Sequence, residues 1–395
     1  MTDLKLNRIT SIDILRGLVM VIMALDHVRD FFHEGAMTGD PLNLQTTTPL
    51  LFFTRWITHF CAPVFVFLSG ISAGLSAQKK SQKETAAFLI KRGFWLIVVE
   101  IVVISLALTF NPFYNFIILE VIWAIGCSMV VLGILLYVSK KLIPVIGVIL
   151  VFGHNIFDYI HPPETGFSAV LMKVFFTSRG YVLPLSANHI LGIFYTVLPW
   201  TGAMLLGFSI AKLYTDDYSD FRRRKLLLYA GFAVITFFIV LRFINFYGDP
   251  FRWETQKSIL YTLLSFINTS KYPPSLLYLC MTIGPALILL ALLENTRNKF
   301  LNILSVYGKV PFFYFVLHLY IIHTLTVIFF YVSGYSAKDI VSPGIPFLFR
   351  PAAFGYPLGI VYIIWICIVS SLYFPCKWFY RYKQLHKEKW WTHYL

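Results

Sequence analysis

Long apolar stretches recur along this chain, separated by short polar breaks. A hydrocarbon core of about 30 Å needs roughly 20 apolar helical residues to cross it. By that measure the pattern predicts helices near 13–33, 50–77, 87–110, 116–138, 142–157, 190–213, 226–247, 274–293, 303–332 and 355–375, the fifth being the shortest. The expected fold class is therefore all-α, a polytopic membrane helix bundle of about ten transmembrane helices, with residues 1–395 forming a single transmembrane domain.

Composition points the same way. The hydrophobic fraction is 58% and only 13% of residues are charged, whereas soluble domains are about half apolar with about a quarter of residues charged. With a mean hydropathy of +0.71, a water-soluble fold would lack a polar shell for its core.

A net charge of +14 invites a nucleic-acid reading, but the cations fall in short runs between apolar segments. These are Lys79-Lys80-Ser81-Gln82-Lys83, Ser139-Lys140-Lys141, Arg222-Arg223-Arg224-Lys225, Arg297-Asn298-Lys299, and Lys377, Arg381, Lys383, Lys387 and Lys389 in the tail. The positive-inside rule puts these connections and both termini in the cytoplasm, leaving no nucleic-acid role for the charge. The intervening connections, 34–49, 158–189, 248–273 and 333–354, are longer and less basic. They hold turn-forming pairs such as Asp40-Pro41, Pro162-Pro163 and Asp249-Pro250, and loops of this size on one face commonly carry binding sites.

The polar stretch MTDLKLNRIT has no apolar core or cleavage site of a signal peptide, so the first helix is expected to be retained. The five cysteines show no C-x-x-C spacing and read as packing residues. No internal repeat, paired metal-binding histidine motif, nucleophile elbow, Walker loop or dinucleotide fingerprint is present, and no metal is expected.

Ionisable residues within apolar helices are costly and mark function by default. The first helix carries Asp26-His27-Val28-Arg29-Asp30, with Asp26, Arg29 and Asp30 on one face at i,i+3 and i,i+4. An internally neutralised helix end explains such a cluster, and so does a titratable imidazole beside a carboxylate, ready for general base chemistry. His59 on the antiparallel second helix should reach a similar depth, with Pro63 bending that helix or freeing a carbonyl. Tyr314 and His318 share a face, whereas His323 is rotated by roughly 140° from His318. His318 is therefore the expected cavity-lining histidine. Glu100 and Glu120 are acids in the third and fourth helices whose roles stay open among buried acid, imidazole partner and proton path. Gly70 and Gly74 form a small-x-x-x-small pair suited to helix packing.

Residues Arg8-Ile9-Thr10-Ser11-Ile12-Asp13-Ile14-Leu15-Arg16-Gly17 resemble the opening motif of the heparan-α-glucosaminide N-acetyltransferase-like membrane proteins. The resemblance continues through Ala62-Pro63-Val64-Phe65-Val66-Phe67-Leu68-Ser69-Gly70, Leu198-Pro199-Trp200-Thr201-Gly202, Asn268-Thr269-Ser270-Lys271-Tyr272-Pro273-Pro274-Ser275 and the His318 helix. It implies an acyltransferase taking an acetyl or other acyl group from cytosolic acyl-CoA to an extracytoplasmic acceptor, a saccharide or lipid-linked amine or hydroxyl. The family's proposed catalytic Asn, late in the first helix, falls close to Asp26 and His27, and its His in the following loop has no clear counterpart.

The expected catalytic group is then His27, Asp26, His59 and His318. Arg16, Arg29, Asp30, Tyr314 and Glu120 are expected to contact substrate, and Lys79, Lys80, Lys91, Arg92 and Lys309 the acyl-CoA nucleotide, since phosphate recognition suits Lys and Arg. A proton-coupled transporter or a lipid or glycan flippase is the competing reading. Compactness suggests a bacterial inner membrane, and homodimerisation is left open.

Overall fold

The computed structural model describes residues 9–160, 166–177, 180–296 and 298–393; Arg8, Pro162, Pro163 and Arg297 lie outside them. The chain is an integral membrane protein built as a helix bundle. Its helices are α1 (Thr10–Phe32), α2 (Pro49–Thr58), α3 (Cys61–Ala77), α4 (Gln82–Val99), α5 (Ser105–Thr109), α6 (Val121–Val138), α7 (Leu142–Gly153) and α8 (Gly166–Met172), followed by α9 (Val197–Ile210), α10 (Asp220–Ile244), α11 (Ile259–Ile267), α12 (Leu276–Leu293), α13 (Lys299–Lys309), α14 (Pro311–Val332) and α15 (Leu358–Leu385). A small sheet joins β1 (Phe116–Leu119), β2 (Tyr181–Ser186) and β3 (His189–Ile193) in the order β1-β3-β2.

Among the described residues eight helices are long and apolar enough to cross a membrane, the α2–α3 pair counting as one. Two more have the length but carry charge: α1, and the continuous helix formed by α4, a π-turn at Glu100–Ile104, and α5.

Proline chemistry sets two of the breaks. Pro63 sits in the first turn of α3, where its missing N–H costs little, and the carbonyl four residues back, that of His59, accepts from the Tyr278 hydroxyl at 2.8 Å. Pro311 likewise opens α14 and separates it from α13. The predicted fourth and sixth helices start too early. Residues 116–119 and 189–193 are strands, paired in parallel from Phe116↔Ile190 to Leu119↔Ile193, because short apolar runs such as Phe-Ile-Ile-Leu suit a strand as well as a buried helix.

Glycines bring helices to near backbone contact. A Cβ on Gly17 would stand 1.8 Å from the Leu304 carbonyl oxygen, and one on Gly308 1.8 Å from that of Asp13, so α1 and α13 cross with nothing between them. Gly70 meets α9 in the same way, its Cβ falling 2.1 Å from the Met204 oxygen, and Gly74 abuts Ala211 and Phe208.

The two faces are tied separately. On the basic face Gln78 donates to the Ala211 carbonyl (3.1 Å), Gln82 to that of Leu136, and Arg223 pairs with Glu294 (2.5 Å). On the opposite face Arg350 donates to the His33 and Pro351 carbonyls (2.7 and 2.8 Å), and Tyr261 to that of Thr47 (3.1 Å). The 245–275 segment is held by buried Arg242, which donates to the carbonyls of Phe251, Ser265, Phe266 and Asn268 at 2.8–3.1 Å. Asp249 accepts from the Ser270 amide (2.9 Å) and the Ser275 hydroxyl (2.6 Å).

Candidate functional site

The i,i+3 and i,i+4 spacing on α1 gathers Asp26, Arg29 and Asp30 on one face, and the structure makes them the centre of a buried ionic network. Arg29 Nη2 lies 3.0 Å from Asp26 and 2.5 Å from Asp30. From α2, Arg55 Nη1 donates to both Asp26 oxygens at 2.5 Å, and the Thr58 hydroxyl adds a bond at 3.0 Å. From the clamped 245–275 segment, Lys271 brings its ammonium to 3.9 Å from Asp26 and over the rings of Tyr272 (5.1 Å) and Tyr195 (5.9 Å). Three cations thus converge on one carboxylate, as a buried charge requires.

Asp26, Asp30, Arg55, Thr58 and Lys271 line a chamber of about 70 Å³ whose wall also includes His27, Cys61, Phe65, Glu120, Tyr195 and Tyr272 but not Arg29. The strand pair supplies part of it, because Glu120 directly follows β1 and Tyr195 closely follows β3. Burial pushes Glu120, which stands just ahead of the α6 span, up to about 7 against the opposing pull of Lys271.

His27 is the imidazole on the chamber wall. His318 packs behind it, ring centroids 5.2 Å apart, fully buried with one ring nitrogen 3.1 Å from the Tyr314 carbonyl and Nε2 unpartnered. Tyr314 stacks on His318 at 5.4 Å. Neither Tyr314 nor His318 reaches the chamber wall, so the expectation of a cavity-lining His318 gives way to a supporting position. His59 is also fully buried, edge-on to Tyr278 with both ring nitrogens unpartnered, and it too is off the wall. Its backbone carbonyl holds Tyr278. His323 lies between the Ala107 and Leu348 carbonyls (3.0 and 2.8 Å) and stacks on Phe110, which accounts for it structurally.

Glu100 is a helix cap supplied from another helix. Its Oε1 accepts the Glu120 backbone N–H at 2.6 Å, taking up a backbone donor that has no partner within the first turn of α6.

A second, larger cavity of about 550 Å³ lies toward the basic face. Arg16, Lys80, Arg92 and Lys383 stand on its wall with the serines of α3, Phe88 and Phe312. Arg16 also bonds Ser72 (2.7 Å), the Gly308 carbonyl (3.1 Å) and Asp13 (3.3 Å), so the residue expected to contact substrate stands on this wall and is held in place by an ion pair. Lys79, Lys91 and Lys309 are not on this wall; Lys309 instead lies 5.0 Å over the Tyr380 ring. On the other side of the chamber a third void of about 190 Å³, lined by Arg29, Asp30, His33, Asp40 and Thr47, shares Asp30 with it. The three voids therefore lie in series from one face toward the other.

Sequence reasoning overlooked Arg55 and left Lys271 without a role. The signal for Arg55 was present: a lone cation in the apolar run Leu50–Ile57 needs a buried anion, and Asp26 is at the matching depth. Among the described residues no group of three or more His, Cys, Asp or Glu side chains could hold a metal ion.

A family model described as heparan-alpha-glucosaminide N-acetyltransferase, catalytic, matches residues 8–241, more than half of the chain. Comparison with curated proteins returns no match.

Proposed function

From a chain that belongs to the heparan-α-glucosaminide N-acetyltransferase catalytic family, and so to N-acetyltransferase-like membrane enzymes, we propose acyl transfer across the bilayer, from acyl-CoA on the basic, cytoplasmic face to an amine or hydroxyl of a saccharide or lipid-linked acceptor on the far side. The observation that carries this reading is the adjacency of two unlike voids. One is large, rimmed by Arg16, Lys80, Arg92 and Lys383, and the other is small and polar, with His27, Lys271 and Glu120 on its wall. Cations suit the nucleotide phosphates, and a small buried chamber lined by fixed charges suits proton transfer and charge stabilisation.

In the proposed step the acceptor nitrogen or oxygen attacks the thioester carbonyl carbon while His27 takes its proton. The Lys271 ammonium and the Tyr272 hydroxyl face the oxyanion. Collapse breaks the C–S bond, and the proton on His27 passes to the departing thiolate, giving the acylated acceptor and free CoA. His318 would fix the His27 ring from behind, and the Asp26 network would hold Lys271.

The test is transfer from radiolabelled acetyl-CoA to glucosamine-type and lipid-linked acceptors by purified protein. His27→Ala should lower the rate by a factor of about 10²–10⁴; full transfer by that variant would remove His27 from the chemistry. Three voids in series also favour a proton-coupled transporter or flippase, whose signature is pH-gradient-driven flux in proteoliposomes without acyl-CoA.

A further inference from the structure

Phe65 lines both the large basic cavity and the small polar chamber. Along the face of α3 that borders them, positions 62, 65, 69, 72 and 76 follow helical i,i+3 and i,i+4 spacing and form one stripe. Its other members are small: Ala62 on the chamber, then Ser69, Ser72 and Ser76 with neighbouring Ala73 on the cavity. A single half-buried aromatic ring thus interrupts the stripe at the level where the two voids meet.

Beyond that ring there is little room. At roughly 10–15 Å³ for each water-sized site, a chamber of about 70 Å³ holds the equivalent of about five such sites. A carbonyl, a methyl and one attacking atom fit such a space. An eight-carbon chain does not.

We propose that Phe65 is the residue that sets acyl-chain length, its ring dividing the CoA cavity from a chamber that admits only a short acyl group. The inference rests on the acyl-transfer reading and adds the residue that limits the length of the acyl group the chamber admits. Removing the ring joins chamber and cavity, so a longer chain can fold back into the space shared by both.

The experiment compares wild type, Phe65→Leu and Phe65→Ala in transfer from acetyl-, butyryl- and octanoyl-CoA, and in competition of the same unlabelled thioesters against radiolabelled acetyl-CoA for binding. Wild type should prefer acetyl over octanoyl by more than about tenfold, since even one methylene misfitting a pocket costs that much. Phe65→Ala should shrink that preference by at least about tenfold, with Phe65→Leu between. Phe65→Leu keeps a bulky apolar side chain on α3 and carries the test if the alanine variant does not fold. An unchanged preference in the folded variants overturns the assignment. If wild type binds acyl-CoA but transfers nothing to any acceptor, the acyl-transfer reading falls, and the competition ratios alone decide Phe65: a shift supports it and constancy overturns it. Absence of competition by any acyl-CoA overturns both.

Discussion

Replacing Asp26 by Asn removes the one carboxylate on which three cations converge. Arg29 keeps a partner in Asp30 at 2.5 Å, but Arg55 loses the anion and one of the two oxygens that accept its 2.5 Å bonds, and Lys271 loses the charge 3.9 Å away. At an effective dielectric near 20, unit charges 4 Å apart interact by about 4 kcal/mol, and stripping one partner from a buried pair costs about 3–5 kcal/mol because the remaining charge stays desolvated. Asp26→Asn should therefore lower the unfolding free energy by about that amount, a large share of the ~5–15 kcal/mol typical of a folded protein. Arg55→Gln should be similarly harmful, since it leaves Asp26 with the weaker contacts to Arg29 and Lys271. The double variant should cost clearly less than the sum, with a coupling energy of about 2 kcal/mol or more, within the range for residues in direct contact. Equilibrium unfolding in mixed micelles with increasing dodecyl sulfate, followed by tryptophan fluorescence, gives the four free energies. Coupling below about 0.5 kcal/mol, the level expected of independent sites, would refute the claim that this ion pair organises the chamber.

Glu120, pushed up to about 7 from the ordinary glutamate value of 4.5, keeps in the folded chain a proton that the unfolded chain releases. Its contribution to stability is thus present at low pH, is lost as pH rises from about 4.5 to 7, and stays constant above. The stability of wild type relative to Glu120→Gln should fall across that window, and a difference that does not change with pH would discard the assignment. Gly17→Ala would force a Cβ to within 1.8 Å of the Leu304 oxygen and should destabilise the α1–α13 crossing by about 1–3 kcal/mol or more. Gly359→Ala, where nothing lies within 4 Å, should leave the midpoint of thermal unfolding unmoved, and equal behaviour of the two would contradict the close packing.

What the sequence determined by itself is whatever depends on neighbours along the chain. Apolar runs long enough to span lipid and the i,i+3 pairing of Asp26 with Arg29 are local, and apart from the early starts expected for the fourth and sixth helices they are found where the pattern puts them. The breaks before Pro63 and Pro311 follow from a missing backbone donor and are equally local. Tertiary structure decided the rest. Phe-Ile-Ile-Leu at 116–119 becomes a strand because β3, more than seventy residues later, offers its edge. Glu100 becomes the cap of α6 only once the two helices meet. Arg55 and Lys271, 29 and 245 positions beyond Asp26, join its network because α2 and the Arg242-clamped segment deliver them there. Among the three candidate histidines of α1, α2–α3 and α14, all at plausible depth, rotation about each helix axis against its neighbours left His27 facing the chamber and turned His59 and His318 into the packing. Helix depth is written in the order of residues, but which face of a uniformly apolar helix looks inward is settled by the close contacts between helices, and those exist only in the assembled bundle.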